Sequence, residues 1–465
     1  MKPSIPQGTR DFSPAEVRKR QYILNTIKSV FELYGYQPLE TPSMENLSTL
    51  MGKYGEEGDR LIFKVLNNGL HEKKQADKDK LNEEWTKLLD RPYSSTAVTE
   101  RALRYDLTIP FARYVVMHQH ELVFPFRRYQ MQPVWRADRP QRGRYREFWQ
   151  CDCDVVGSNS LINEAELLCI YQQAFDQLRV PQIAIKINSR KLLAGIAELA
   201  GAPEKMMDIT IALDKLDKIG WDGVVKELQE RNIDDKGIAE IQKIIAVTGS
   251  NDEKLATLDL LMQEGNCEMG KAGVEEIRTT LAYHAQITNA GWRASIEADI
   301  SLARGLNYYT GIIMEVTTTA VKMGSIGGGG RYDDLTGLFG LKGLSGVGVS
   351  FGVDRIYDVI DELKLFPDEL ESGCKVMLVN FGGANEAYSL QILKQLREAH
   401  IAAELYPDAA KFDKQMKYAN KRNIPFVMLL GDTEREQQRI SIKNFRSGEQ
   451  QSLSFNETVK MISEL

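Results

Sequence analysis

The sequence predicts an α+β protein: a large domain built on an antiparallel sheet and interrupted by a helical insertion, followed by a small α/β domain. Three stretches carry that prediction. Residues 126–136 and 146–156 are strand-like and joined by an Arg/Gly/Pro loop, the pattern of an antiparallel pair. Residues from about 190 to 290 are helical in pattern, charged and poor in aromatics. The last ninety or so residues alternate strand-like and helix-like segments, which implies a small, partly parallel sheet.

In chain order, residues 14–34 carry Val17, Ile23, Leu24, Ile27, Val30 and Phe31 at helical spacing. Residues 66–92 are rich in Lys, Asp and Glu and read as a solvated insertion with partial helix around 80–89. Residues 163–178 read as a helix, and so do 215–229, 234–247 and 253–263 within the 190–290 insertion. Extended, Gly-rich sequence resumes at 298 and runs to about 353. Beyond it, strands are expected at 375–381, 402–406 and 426–430 and helices at 385–400 and 411–423. A hairpin over 439–445 and 451–455 turns at Ser447-Gly448, and Asn456 is placed to cap a final helix. Glu371-Ser372-Gly373 reads as a linker, giving expected domains 1–371 and 372–465. There is no tandem repeat.

The chain has 465 residues, too many for a single hydrophobic core, and an ordinary globular balance of 43% hydrophobic and 27% charged residues. No apolar run is long enough to cross a membrane, and the first ten residues have no signal-peptide core. Five cysteines, an odd number, argue against a disulfide framework, so a reducing cytoplasm is the expected compartment. A net charge of -6 argues against coating nucleic acid by charge alone. Selective RNA binding needs only a local basic surface, and Arg136, Arg139, Arg142, Arg144 and Arg146 stand against one acid, Asp138.

Three segments could carry chemistry. In the first, strand alternation puts Arg146, Phe148, Gln150, Asp152 and Asp154 on one face and Trp149, Cys151, Cys153 and Val155 on the other. With Arg136 on the partner strand, that face suits a zwitterionic, phosphorylated ligand; the plainer alternative is a half-solvated sheet with its charges in water. Cys151 and Cys153 lack the second Cys/His pair that a closed zinc site needs, so packed apolar cysteines are expected. The second segment, Arg304-Gly305-Leu306-Asn307-Tyr308-Tyr309-Thr310-Gly311, offers a guanidinium and phenolic hydroxyls at the entry to a strand over 312–316, against a simple turn with aromatic packing. In the third, four glycines (327–330) permit close backbone approach to a ligand, and the run 346–355 reads as a buried strand entering a helix with Arg355 in its first turn. It is neither a P-loop nor a dinucleotide fingerprint, and structural glycine remains the alternative. The histidines at 71, 118, 120, 284 and 400 show no ligand spacing, and no Gly-x-Ser-x-Gly elbow is present.

Taken in order, these segments resemble the histidyl-tRNA synthetase family over nearly the whole chain. Gly8-Thr9-Arg10-Asp11-Phe12 looks like the family's opening, and Tyr34-Gly35-Tyr36 through Pro42 and Glu45 is similar to motif 1 of class II synthetases, the dimer-forming segment. Residues 136–154 resemble motif 2 and residues 346–355 motif 3. Leu103-Arg104-Tyr105-Asp106-Leu107-Thr108 and Leu302-Ala303-Arg304-Gly305-Leu306-Asn307-Tyr308-Tyr309 resemble segments peculiar to the histidine enzymes. The last domain looks like the family's anticodon-binding domain. Asn307 stands where the family usually has Asp, and Asp106, Asp138 and Asp154 stand where some members carry Glu, a pattern similar to the eukaryote-like branch.

The resemblance implies a class II catalytic domain plus an α/β anticodon-binding domain, and a homodimeric, cytoplasmic ligase for L-histidine and tRNA(His). It implies ATP as substrate, with Mg2+ on the outer phosphates and no metal ligands assigned among the protein's side chains. By resemblance, Arg136 and Arg304 bracket the α-phosphate, Arg304 serving where other class II enzymes use a metal. Arg355 holds the γ-phosphate, Phe148 stacks on adenine and Asp138 lies near its amino group. Asp106, Thr108 and Gln150 hold the substrate ammonium, and Asp154 with a tyrosine, Tyr309 ahead of the neighbouring Tyr308, binds the imidazole nitrogens. The main rival is a synthetase-like regulatory subunit of histidine biosynthesis; both arginines and a full C-terminal domain argue against it. A non-catalytic amino-acid sensor is a third reading. Histidine-dependent exchange of pyrophosphate into ATP separates the first from both.

Overall fold

The structure, a computed structural model, describes residues 2–90, 95–303 and 308–463. The chain divides into two compact units: Met1–Arg10 with Ile23–Leu365, and Asp11–Tyr22 with Phe366–Leu465.

The first unit is built on an eight-stranded sheet in the order Gln37–Pro38, Phe126–Trp135, Glu147–Val156, Gly346–Gly352, Gly327–Arg331, Ile312–Thr318, Ile183–Ser189 and Ser295–Ala298. The two outermost pairings are parallel and the five inner ones antiparallel. Alternation along the central strands sorts the side chains as the sequence predicts. Cys151, Cys153 and Phe351 are fully buried on one face. There Phe351 meets Phe31 at 5.7 Å, Tyr171 at 4.7 Å and Phe175 at 5.5 Å between ring centroids. Aromatic and helical cover of that kind anchors the sheet and leaves its other face to be shaped by polar groups.

A three-stranded sheet, Met44–Asn46, Arg101–Leu103 and Lys64–Val65, sits in the same unit and leads into the helix Thr108–Met117. The charged stretch after it is more regular than expected: Gln75–Asp90 is one helix with no buried residue. The insertion is helical throughout, from Arg190–Leu199 through Met206–Leu213, Leu216–Glu230, Asp235–Ile245 and Asn251–Glu264 to Glu268–Ile287. Its first and last helices approach at glycines, where a Cβ on Gly195 would overlap the Gly270 backbone.

The second unit has a five-stranded sheet in the order Ala403–Leu405, Val376–Leu378, Phe426–Leu429, Ile440–Asn444 and Gln450–Leu453. The first three strands are parallel and the hairpin adds antiparallel strands. Two details differ from expectation. A short helix, Asp432–Gln437, intervenes after the third strand. The final helix, Phe455–Ser463, is capped by Ser454 and not by Asn456: the Ser454 hydroxyl accepts from the Glu457 amide at 3.4 Å while Glu457 Oε2 accepts from the Ser454 amide at 2.8 Å. This reciprocal pair satisfies two end donors where an Asn inside the first turn satisfies none.

Candidate active site

On the polar side of the first unit's sheet lies a cavity of about 840 Å³. Ten of the eleven residues singled out by sequence are described, and nine line it: Asp106, Thr108, Arg136, Asp138, Phe148, Gln150, Tyr308, Tyr309 and Arg355. Asp154 does not. Arg304 and Asn307 lie outside the described residues.

Arg136 follows the Phe126–Trp135 strand. Its Nε donates to the Tyr105 carbonyl at 3.1 Å, and its guanidinium lies 4.3 Å from the Tyr105 ring centroid and 5.2 Å from that of Phe148. Two rings and one carbonyl fix the plane of the fork, and no carboxylate among the described residues forms an ion pair with it. Arg355 occupies the first turn of the Val353–Glu362 helix; it donates to Gly143 O at 2.7 Å and to Ser325 O at 2.6 Å. Burial lowers its pKa, and Arg144 and Arg136 nearby push the same way. Two cations kept close at such a cost favour a multiply charged anion between them. Asp138 lies 3.9 Å from Arg144.

The centre of the cavity is acidic. Asp106 is buried and accepts from Tyr54 at 2.9 Å, from the Ile109 amide at 3.2 Å and from Tyr308 at 3.3 Å. Burial raises its carboxyl, against those donors and Arg136. Gln150 donates to Ser350 Oγ at 2.8 Å, leaving its Oε1 buried without a partner; Asp152 Oδ1 is likewise without one. Unpaired acceptors in a polar cavity are what a cationic or N–H-bearing ligand would satisfy.

Asp154 lies past the cavity lining on the same strand face. Arg128 sits 2.8 Å away in an ion pair, fully buried, and the Tyr332 hydroxyl donates to Asp154 at 2.5 Å. A Cβ on Gly348, its neighbour across the sheet, would overlap the Asp154 carboxylate, so glycine at 348 is what admits the charge. The half-solvated alternative for this strand therefore fails: Asp152 and Asp154 are only 3% and 2% exposed. Tyr54, Arg128, Tyr332 and Ser350 carry this arrangement without having been singled out by sequence. The alternation of Arg128, Gln130 and Gln132 on one strand face was the available signal for the second of these.

Burial raises the Asp152 carboxyl from its ordinary 3.8 to about 7, with Asp154 adding to the shift and Arg128 opposing it. Between about pH 4 and pH 7 the folded protein thus keeps a proton that the unfolded chain has released, and stability falls as pH rises through that window. Asp152→Asn is expected to flatten this part of the curve in urea melts run across the window. A slope identical to wild type would mean that Asp152 ionises normally.

Among the described residues no group of three or more His, Cys, Asp or Glu side chains could hold a metal ion. No described helix is long and apolar enough to cross a membrane. All five cysteines are buried thiols.

The sheet with its cation-ended, acid-centred cavity, and the separate α/β unit, have the catalytic and accessory architecture of a class II aminoacyl-tRNA synthetase. The family model described as Histidyl-tRNA synthetase matches residues 8–74 and 70–356, and the one described as Anticodon binding domain matches residues 375–465. The chain belongs to the histidyl-tRNA synthetase family. It is 55% identical to the histidine--tRNA ligase of Christiangramia forsetii over 98% of both chains, and 54% identical to that of Bacteroides fragilis, again over 98% of both. The crystal structure of histidyl-tRNA synthetase from Nostoc sp. PCC 7120 superposes with a TM-score of 0.83 at 30% identity, covering 100% of this chain and 99% of that one.

Proposed function

We propose that this protein is a histidine–tRNA ligase. A carboxylate oxygen of L-histidine attacks the α-phosphorus of ATP, the bond to the bridging oxygen breaks, and pyrophosphate leaves histidyl-adenylate behind. A ribose hydroxyl at the 3′ end of tRNA(His) then attacks the acyl carbon and AMP leaves. The observation that carries this reading is one cavity with guanidinium groups at one end and buried, under-satisfied acceptors in its centre. Such chemistry rests on positioning and charge stabilisation more than on covalent help from the protein. Histidine-dependent pyrophosphate exchange followed by charging of tRNA tests it; failure of both in the folded protein overturns it.

Within this reading Arg136 and Arg304 bracket the α-phosphate, and Arg355 takes the γ-phosphate. Phe148 stacks on adenine with Asp138 near its amino group. Asp106, Thr108 and Gln150 hold the ammonium, and Tyr308 orients Asp106 through its hydroxyl. Mg2+ would be held by the outer phosphate oxygens of ATP. The C-terminal α/β unit, with a boundary placed near Glu371, serves tRNA. A cytoplasmic homodimer paired along residues 34–45 completes the reading.

Asp154 and Tyr309 read the imidazole. A neutral imidazole presents one N–H donor and one acceptor on opposite sides of a flat ring. Arg128 and Tyr332 hold the Asp154 carboxylate in place, and Tyr309 supplies the complementary donor. Asp154→Asn and Tyr309→Phe are each expected to raise the histidine KM roughly ten- to a hundredfold while the ATP KM changes little, the penalty of leaving a buried polar group unpaired. Tyr309→Phe is the cleaner variant, because Asp154→Asn also unpairs Arg128. Unchanged histidine KM in both would place the imidazole-reading pair elsewhere.

A further inference from the structure

We propose that Arg190 is an anion-binding residue of the catalytic cavity, placed to hold phosphate oxygens of a substrate. This rests on the functional reading above and adds a cation that the sequence did not single out. Arg190 lines the cavity beside Met207 and Thr210 and is only 6% exposed. Its one hydrogen-bond acceptor among the described residues is the Met207 sulfur, at 3.2 Å. Its Nε is buried with no partner, and it forms no ion pair with any described carboxylate. Burial lowers its pKa, with nothing acting against it.

The other deeply buried arginines differ. Arg128 has Asp154 at 2.8 Å, Arg331 has Glu164 at 2.6 Å, and Arg104 donates to Thr41 O, Pro133 O and Gln132 Oε1. Arg190 has only a thioether, a weak acceptor. Its position compounds the cost. It is the first residue of the Arg190–Leu199 helix, capped by Ser189, where the helix dipole disfavours a cation. The nearby carboxylate, Glu276, is already engaged by Ser189 Oγ at 2.9 Å and Lys191 Nζ at 2.5 Å. A buried guanidinium at a helix N-terminus without a carboxylate makes poor sense as structure; a methionine or leucine would pack there at less cost. An anion entering the cavity would meet the guanidinium and the positive helix end together.

Arg190 is also a separate anchor from Arg355. It follows the Ile183–Ser189 strand, whose end pairs with the start of Ile312–Thr318 at Ser189 and Ile312. Arg355 follows Gly346–Gly352, which ends at the opposite edge of the sheet beside Gly327. The two strands are three positions apart, so the arginines stand about 14 Å apart across the sheet, plus the length of a strand along it. The phosphate group assigned to Arg355 is therefore not the one Arg190 would hold. Two substrates of the reaction bring phosphate into this cavity: the inner phosphates of ATP and the terminal phosphodiester of tRNA.

The test uses full-length Arg190→Met and Arg190→Lys, with the wild type assayed first; a wild type that neither exchanges nor charges sinks the functional reading, whatever Arg190 does. Pyrophosphate exchange without tRNA and single-turnover transfer from preformed adenylate to tRNA are measured, together with thermal melting of the free protein. At least one rate is expected to fall about tenfold or more in Arg190→Met, less in Arg190→Lys, with no drop in melting temperature, since no protein acceptor is lost. Loss of exchange assigns the anion to ATP; loss of transfer with exchange retained assigns it to tRNA. Both rates within about twofold of wild type overturn the proposal, and so does a loss that tracks a lower melting temperature.

Discussion

Arg136→Ala is expected to slow histidine-dependent pyrophosphate exchange by about a hundred- to a thousandfold while leaving histidine binding within a few-fold of wild type. The size follows from removing one preorganised donor aimed at charge that develops in the transition state, worth roughly 2.7–4 kcal/mol where such donors have been removed from oxyanion holes. Arg136 is preorganised in the required sense. Its Nε is committed to Tyr105 O at 3.1 Å, its plane is fixed by the Tyr105 and Phe148 rings, and its remaining donors have no described carboxylate to satisfy. Arg136→Lys is not expected to restore the rate, because a point charge on a flexible stem reproduces neither the fork nor the stacking. Pre-steady-state adenylation with equilibrium histidine binding checks both halves. An alanine variant with near-normal turnover would remove Arg136 from the chemistry. The same result is expected for Arg304, on the strength of its family position alone.

Much of this site was legible in the sequence because strand alternation is a rigid rule. Once residues 147–156 are a strand, Cys151 and Cys153 must share one face and Asp152 and Asp154 the other. What alternation does not decide is whether the polar face meets water. That depends on Tyr332, 178 positions away from Asp154, and on Arg128, brought alongside by strand pairing. The same limit applies to the glycine run. Its composition suggested room for a ligand, and Gly327 and Gly328 do line the cavity. Gly329, however, is needed because a Cβ there would overlap Gly348 O across the sheet, a purely tertiary demand. Arg190 was invisible for a related reason: at the start of a charged helical insertion, an arginine without a partner looks like any solvated one. The misplaced final cap was a local error, since Ser454 and Asn456 are both capping residue types and only the backbone decides between them.

Glu164→Ala is expected to destabilise the protein by about 3–5 kcal/mol, the range for breaking a buried ion pair from one side. Glu164 is fully buried and takes Arg331 bidentately, Nε at 2.6 Å and Nη2 at 2.8 Å. Without it Arg331 keeps Ser345, the Ser158 carbonyl at 3.2 Å and, at 3.6 Å, the half-exposed Asp333. The damage should also reach the active site. Asp333 accepts from Ser345 at 2.5 Å and from Thr310 at 2.9 Å, while the Thr310 amide donates to Arg331 O at 2.8 Å. Thr310 directly follows Tyr308 and Tyr309 in the chain, so the pair holds the root of the segment proposed to read histidine. Arg331→Met should cost a similar amount, because it strands Glu164 instead. The double variant Glu164→Leu/Arg331→Met should recover most of the loss, since two apolar side chains leave no buried charge behind. Urea melts of the two single variants and the double variant complete the cycle. A double variant no more stable than either single one would mean that the network is held by its hydrogen bonds to Ser345 and Ser158 and not by the pairing of charge.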